Sequence, residues 1–124
     1  MSDPFGGQCP CGSGTVYEAC CGPLHHGERQ AATAEELMRS RYAAYATGQA
    51  DYLFRTWHPR TRPATVTVDP EVVWRGLTIV DVVAGGSDDE FGEVEFTAAY
   101  DDAVMRERST FERRSGRWVY VDGD

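Results

Sequence analysis

The residues best placed to do chemistry lie near the start of the chain. Cys9-Pro10-Cys11-Gly12-Ser13-Gly14 is followed, after Ala19, by Cys20-Cys21-Gly22. Four thiols thus fall within thirteen residues, as a C-x-C pair, eight intervening residues and an adjacent pair. Zinc takes four tetrahedral ligands, with sulfur at about 2.3 Å, and two close pairs on one closed loop supply such a shell. Gly12 and Gly14 allow a tight turn beside the first pair. Residues 16–19 suit a helical turn that presents the second. Four thiolates leave no open coordination position, so the implied site is structural and not hydrolytic. The competing readings are disulfides and a redox centre. A cytosolic location disfavours disulfides, and adjacent cysteines close only a strained ring. The C-x-x-C spacing usual for reactive thiols is absent. His25 and His26 follow closely, either as substitutes for a cysteine ligand or as residues of a solvated loop.

Residues 1–27 hold all four cysteines and three of the six prolines, with few large apolar side chains. Such a stretch needs an external staple or it is disordered. Structural zinc supplies on the order of 10 kcal/mol of folding free energy in small peptides. From Thr33 the pattern turns helical. Thr33 and Glu36 form a capping box. Leu37, Met38, Arg41, Tyr42 and Tyr45 then recur at helical spacing until Gly48. A second short helix is predicted over residues 50–57, before Pro59, and residues 60–63 read as loop. After Pro70 the period becomes two. Leu77, Ile79 and Val83 alternate with Thr78, Val80 and Val82, which predicts a strand buried on both faces or nearly so. Val94, Phe96, Ala98 and Tyr100 alternate with Glu93, Glu95, Thr97 and Ala99, a half-buried strand. Residues 105–113 and 117–121 give the last two strands, with turns at Asp101-Asp102 and Ser115-Gly116. Short connections mean antiparallel hairpins. Helices followed by a meander predict an α+β fold, with a curved sheet wrapped around the helices.

At 124 residues the chain has room for one ordinary domain. Its net charge of −8 is concentrated after residue 63, where a nucleic-acid backbone would be repelled. Nucleic acid is therefore an unfavoured partner. All twelve basic residues are arginine, so Schiff-base chemistry and a P-loop lysine are excluded. No apolar run approaches the roughly 18 residues of a membrane span, so no membrane insertion is expected. The first residues show neither a basic cluster nor an apolar stretch, and a cytoplasmic location is expected.

The cysteine stretch with its Gly-Ser-Gly, Tyr17 and Cys20-Cys21-Gly22 resembles the SEC-C motif, the zinc knuckle also found at the C-terminus of the SecA translocase motor. The remainder resembles the YchJ-like family. The matching residues are Leu24-His25, Thr33 through Tyr42, Thr56-Trp57-His58-Pro59, Trp74-Arg75-Gly76-Leu77 and Gly116 through Gly123. The resemblance covers essentially the whole chain. It implies one structural zinc on Cys9, Cys11, Cys20 and Cys21. It also implies a cone-shaped domain of the nuclear-transport-factor-two-like type over residues 28–124, after a knuckle over residues 1–27. In the translocase motor the similar knuckle contacts an export chaperone and anionic lipid. Residues 1–27 of this chain carry no Arg or Lys, so lipid binding does not transfer.

Folds of this type often enclose a pocket between helices and sheet, and polar residues on apolar faces are its candidates. Glu107 shares its strand face with Met105, Ser109 and Phe111. Asp81 shares its face with Leu77, Ile79 and Val83. Arg41 lies on the helix face of Leu37 and Tyr45, and His58 follows Trp57 at a helix end. These groups could converge for acid–base work or for binding a small anion. The opposing reading is a satisfied ion pair that fixes packing, with Arg41 as the partner of Glu107. No nucleophile–base pair, phosphate loop or H-E-x-x-H motif is present. The first functional expectation is therefore a non-enzymatic adaptor that binds another protein through its knuckle. The second is a small-ligand binder or enzyme using the cone, and the third a thiol redox sensor at Cys20-Cys21.

Overall fold

The computed structural model describes residues 7–124. A single 3₁₀ turn, Tyr17–Ala19, leads into α1 (Cys21–His25), followed by α2 (Ala34–Thr47) and α3 (Ala50–Arg55). Four strands follow: β1 (Trp74–Ala84), β2 (Phe91–Tyr100), β3 (Ala103–Arg114) and β4 (Arg117–Gly123). They form one antiparallel meander in sequence order. The α+β expectation holds.

Capping residues set the ends of α2. The Glu36 N–H donates to Thr33 Oγ1 at 3.1 Å. The Glu36 carboxylate reaches back to the Ala32 N–H at 2.7 Å, one residue earlier than a standard capping box, and also holds Arg29. Gly48 closes the helix with φ +77°. The next helix stops at Arg55, two residues short of the predicted end. Trp57 there pairs with Tyr120 of β4, and the His58 N–H donates to the Tyr120 carbonyl.

The core forms where α2 lies on the inner sheet face. Leu37, Met38 and Tyr42 meet Val94, Phe96, Ala98, Phe111 and Trp118. The alternation read in β2 holds, with Gly92, Val94, Phe96 and Ala98 buried. The expectation for β1 is corrected. It is an edge strand, bonded only to β2, and Val80, Val82 and Val83 are more than 40% exposed. A bulge between Ile79 and Asp81 also changes its faces: Ile79 pairs with Phe96, but Asp81 pairs with Glu95. Asp81 and Val83 therefore lie on the outer face, opposite to Leu77 and Ile79.

The knuckle is docked on α2. Cys9, Cys11 and Cys21 pack against Ala43, and the Arg39 guanidinium donates to the Cys11 carbonyl at 2.7 Å. Leu24, 3% exposed, belongs to the main core. One of the few large apolar side chains of residues 1–27 thus joins the core of the α+β domain.

Candidate functional site

The four cysteines converge. Cys9 and Cys11 sit on a loop closed by the Cys9 N–H on the Thr15 carbonyl, 2.8 Å, and by an antiparallel bridge between Gln8 and Val16. The 3₁₀ turn then brings Cys20 beside them, and Cys21 opens α1. The four sulfurs lie within 4.8 Å of one another, with Cys11 and Cys20 at 3.6 Å and Cys20 and Cys21 at 4.0 Å. A tetrahedron with Zn–S bonds near 2.3 Å has sulfurs about 3.8 Å apart, so the four thiols are grouped closely enough to hold a single metal ion. None of the four is in a disulfide, and only Cys20 is accessible in part. His25 and His26 lie outside the cluster. Both ring nitrogens of His25 are engaged elsewhere, and His26 is exposed beside Glu28.

Without a cation, four thiolates this close would repel one another, and the thiols share protons instead. Hydrogen bonds from Cys21 and Cys9 hold the Cys11 thiol far below its ordinary range. Cys9, donating to Cys11, is pushed up to about 11, and Cys21 is raised for the same reason. A bound dication removes this conflict and lets every ligand deprotonate.

A second site lies in the cone, where α2 and the inner sheet face line an open cavity of about 320 Å³. Arg41 and Glu107 both line it, as the strand alternation predicts for Glu107. They do not form the expected ion pair. The 4% exposed Arg41 donates through Nη1 to the Leu53 carbonyl at 2.9 Å and to Thr56 Oγ1 at 2.7 Å. Its guanidinium lies over the rings of Trp57 and Tyr120, 5.0 and 4.7 Å from their centroids. Burial lowers its pKa to about 10, which leaves it cationic at neutral pH. Glu107 Oε2 accepts from Ser109 Oγ at 2.7 Å instead.

The other two pocket candidates stand elsewhere. The bulge in β1 carries Asp81 to the outer face, where it binds Arg108. His58 is held outside the cavity, with Nδ1 accepting from the Arg60 N–H at 3.0 Å and Nε2 at 3.8 Å from Glu112.

Ser109, which the alternation places on the face of Glu107, proves to be its hydrogen-bond partner. One group escapes sequence reasoning. The chain Tyr17–His25–Ser40–Tyr52 carries no local signal, because it joins the 3₁₀ turn to all three α-helices.

The comparisons with known proteins agree with this geometry. Residues 8–23 match the SEC-C motif and residues 33–123 match the family described as YchJ, middle NTF2-like domain. A UPF0225 protein of Streptomyces coelicolor is 53% identical over 94% of each chain. One from Deinococcus radiodurans is 50% identical over 98% of each chain. The solution structure of a SEC-C motif containing protein from Rhodopseudomonas palustris superposes with a TM-score of 0.80 at 36% identity, covering 94% of this chain and 96% of that one. A crystal structure of a SEC-C motif containing protein from Psychrobacter arcticus gives 0.76 at 26% identity, covering 92% and 80%. By sequence along nearly its whole length, and by a cone-shaped NTF2-like domain behind a four-cysteine knuckle, the chain belongs to the YchJ family, whose relatives carry the name UPF0225.

Proposed function

We propose that this protein is a zinc-stabilised interaction module that does no chemistry at its metal. The observation that carries this reading is the closed thiol shell, four sulfurs within 4.8 Å. Zinc held by Cys9, Cys11, Cys20 and Cys21 has no place for a substrate. What the metal fixes is the loop over residues 12–19, whose outward side chains include Val16, 52% exposed. Beside it runs a cleft of about 490 Å³ between the knuckle and the segment that enters β1. Pro10 and Tyr17 form one wall and Val72 and Trp74 the other. An apolar wall set on a rigid loop suits a segment of another protein. With no cation among residues 7–27, an anionic lipid surface is a poor match. Zinc thiolates persist in a reducing compartment, which supports a cytoplasmic location.

The test couples metal analysis to capture. Protein purified under reducing conditions should hold one zinc. Baits of wild type, Val16→Asp and Cys20→Ser are then compared in an extract of the source organism. A partner retained by wild type and lost by both variants supports the reading. Equal retention by all three overturns the knuckle as the docking surface.

A further inference from the structure

The cone cavity contains a cation that makes no salt bridge among the described residues. Arg41 is 4% exposed, and the partners of its guanidinium are a carbonyl, a hydroxyl and two aromatic rings. Both hydrogen bonds leave from Nη1. The N–H groups on Nε and Nη2 meet no acceptor among the described residues. A buried charge left in this state is costly unless something pairs with it. Trp57, which lines the same cavity, has its Nε1–H buried with no acceptor. Both groups are donors and ask for the same kind of partner, an oxyanion.

Glu107, on the lining of the same cavity, asks for something different. Ser109 Oγ donates to Oε2 of Glu107, and Oε1 has no donor among the described residues. The lining also includes the apolar side chains of Met38, Trp74, Phe96 and Met105. The volume, about 320 Å³, is at the lower end of the roughly 300–1,000 Å³ typical of small-molecule sites.

We propose that this cavity binds a small organic acid. Its carboxylate takes the N–H groups of Arg41 that have no acceptor among the described residues, its apolar body packs on the apolar lining, and an amine or hydroxyl on it donates to Glu107. This site is separate from the metal centre and does not depend on the interaction role of the knuckle.

The probes are phenylacetate, 4-aminophenylacetate and neutral phenylacetamide, each at millimolar concentration with the full-length zinc-loaded protein. Binding is read from the indole N–H resonance of Trp57 and from the thermal midpoint. Both acids should shift the resonance, the amino acid more strongly, and the amide should not. Arg41→Lys keeps the charge but loses the planar fork, and should weaken the acids about tenfold. Since Arg41 also anchors α3, Glu107→Gln provides an independent variant. It should still bind phenylacetate and lose the preference for the amino derivative. Equal shifts by acid and amide, no shift by either acid, or affinities unchanged in both variants would overturn the proposal and leave a cavity filled by water.

Discussion

His25 Nε2 lies 2.8 Å from the main-chain oxygen of Ser40, which ties the helix beginning at Cys21 to the middle of α2. A carbonyl only accepts, so Nε2 carries the proton and Nδ1 accepts from the Tyr17 hydroxyl at 2.6 Å. The neutral ring is fully satisfied, and burial holds its pKa below the ordinary histidine value. The unfolded chain takes up this proton near pH 6.5 and the folded chain only at lower pH. The contribution of His25 to stability is thus complete above about pH 6.5 and is lost as pH falls toward the folded pKa. In urea titrations, wild type should lose stability from neutrality into that acid range. His25→Gln, whose amide can still donate to Ser40, should lose less over the same interval. Parallel curves for the two proteins would show that His25 does not titrate in this way.

The same docking bears on the boundary at residue 27. Removing residues 1–27 takes Leu24 out of the main core and His25 off Ser40. Leu24→Ala alone should cost about 2–4 kcal/mol in the full chain, as large-to-small changes in cores do. The chain from residue 28 should lose more than that, and circular dichroism should show a broad, weakly cooperative melt. A sharp transition near that of the intact protein would show that the cone stands alone.

Metal content gives the third prediction. Cys9→Ser, Cys11→Ser, Cys20→Ser and Cys21→Ser should each reduce bound zinc below one per chain in elemental analysis. Cysteine binds zinc as the thiolate, and a thiol with an ordinary pKa near 8.5 is mostly protonated at neutral pH, so binding must release protons. Apparent affinity should therefore fall as pH falls, with protons appearing on titration with zinc. Free zinc a thousandfold above its Kd should stabilise the fold by roughly 4 kcal/mol. Full occupancy in all four variants would sink the assignment.

What was legible in the sequence was whatever one element decides alone. The Thr33 cap, the apolar stripe of α2 and the face carrying Glu107 follow from spacing within single elements. The cysteine cluster was legible because its four thiols lie close in sequence. Asp81 was misplaced because one extra residue at Val80 reverses every later side chain in β1, and a bulge leaves no composition signature. The partner of Glu107 was missed for a different reason. Arg41 sits on the right face, but how far its guanidinium reaches depends on Trp57, Thr56 and Tyr120, which arrive from other elements.

Gly92 carries a contact between elements that no periodicity announces. A Cβ there would stand 2.5 Å from the Gly85 Cα and 3.0 Å from the Ala34 Cβ, at the point where the Ala34 N–H donates to the Gly85 carbonyl at 2.9 Å. The obstruction includes backbone, which cannot rotate away. Gly92→Ala should cost about 1–3 kcal/mol by overpacking. Gly76→Ala, with open space at its Cβ, is the control and should change stability by about 0.5 kcal/mol or less. Equal denaturation midpoints for the two variants would refute the close approach of α2 to the β1–β2 hairpin.

The outer sheet face provides the last prediction. Arg108 Nη2 lies 2.7 Å from Asp81 and 2.8 Å from Glu95, and Nη1 lies 3.3 Å from Glu93. One guanidinium thus separates three carboxylates drawn from two neighbouring strands, β1 and β2. Hydrogen bonds from Arg108 lower the Asp81 pKa, and those from Arg106 and then Arg108 lower that of Glu95. A carboxylate with a depressed folded pKa stabilises the fold above its unfolded value, near 4, and this is lost as pH falls through the folded value. Arg108→Ala leaves like charges facing one another in a chain that already carries −8. The pair energies are small because the groups are solvated, so salt provides the sharper measure. In dilute buffer the variant should melt below wild type, and the gap should close in about 1 M salt, where the screening length is about 3 Å. It should also narrow below about pH 4, where protonation removes the repulsion. A gap of the same size under all three conditions would mean that Arg108 acts through packing of its stem and not through its charge.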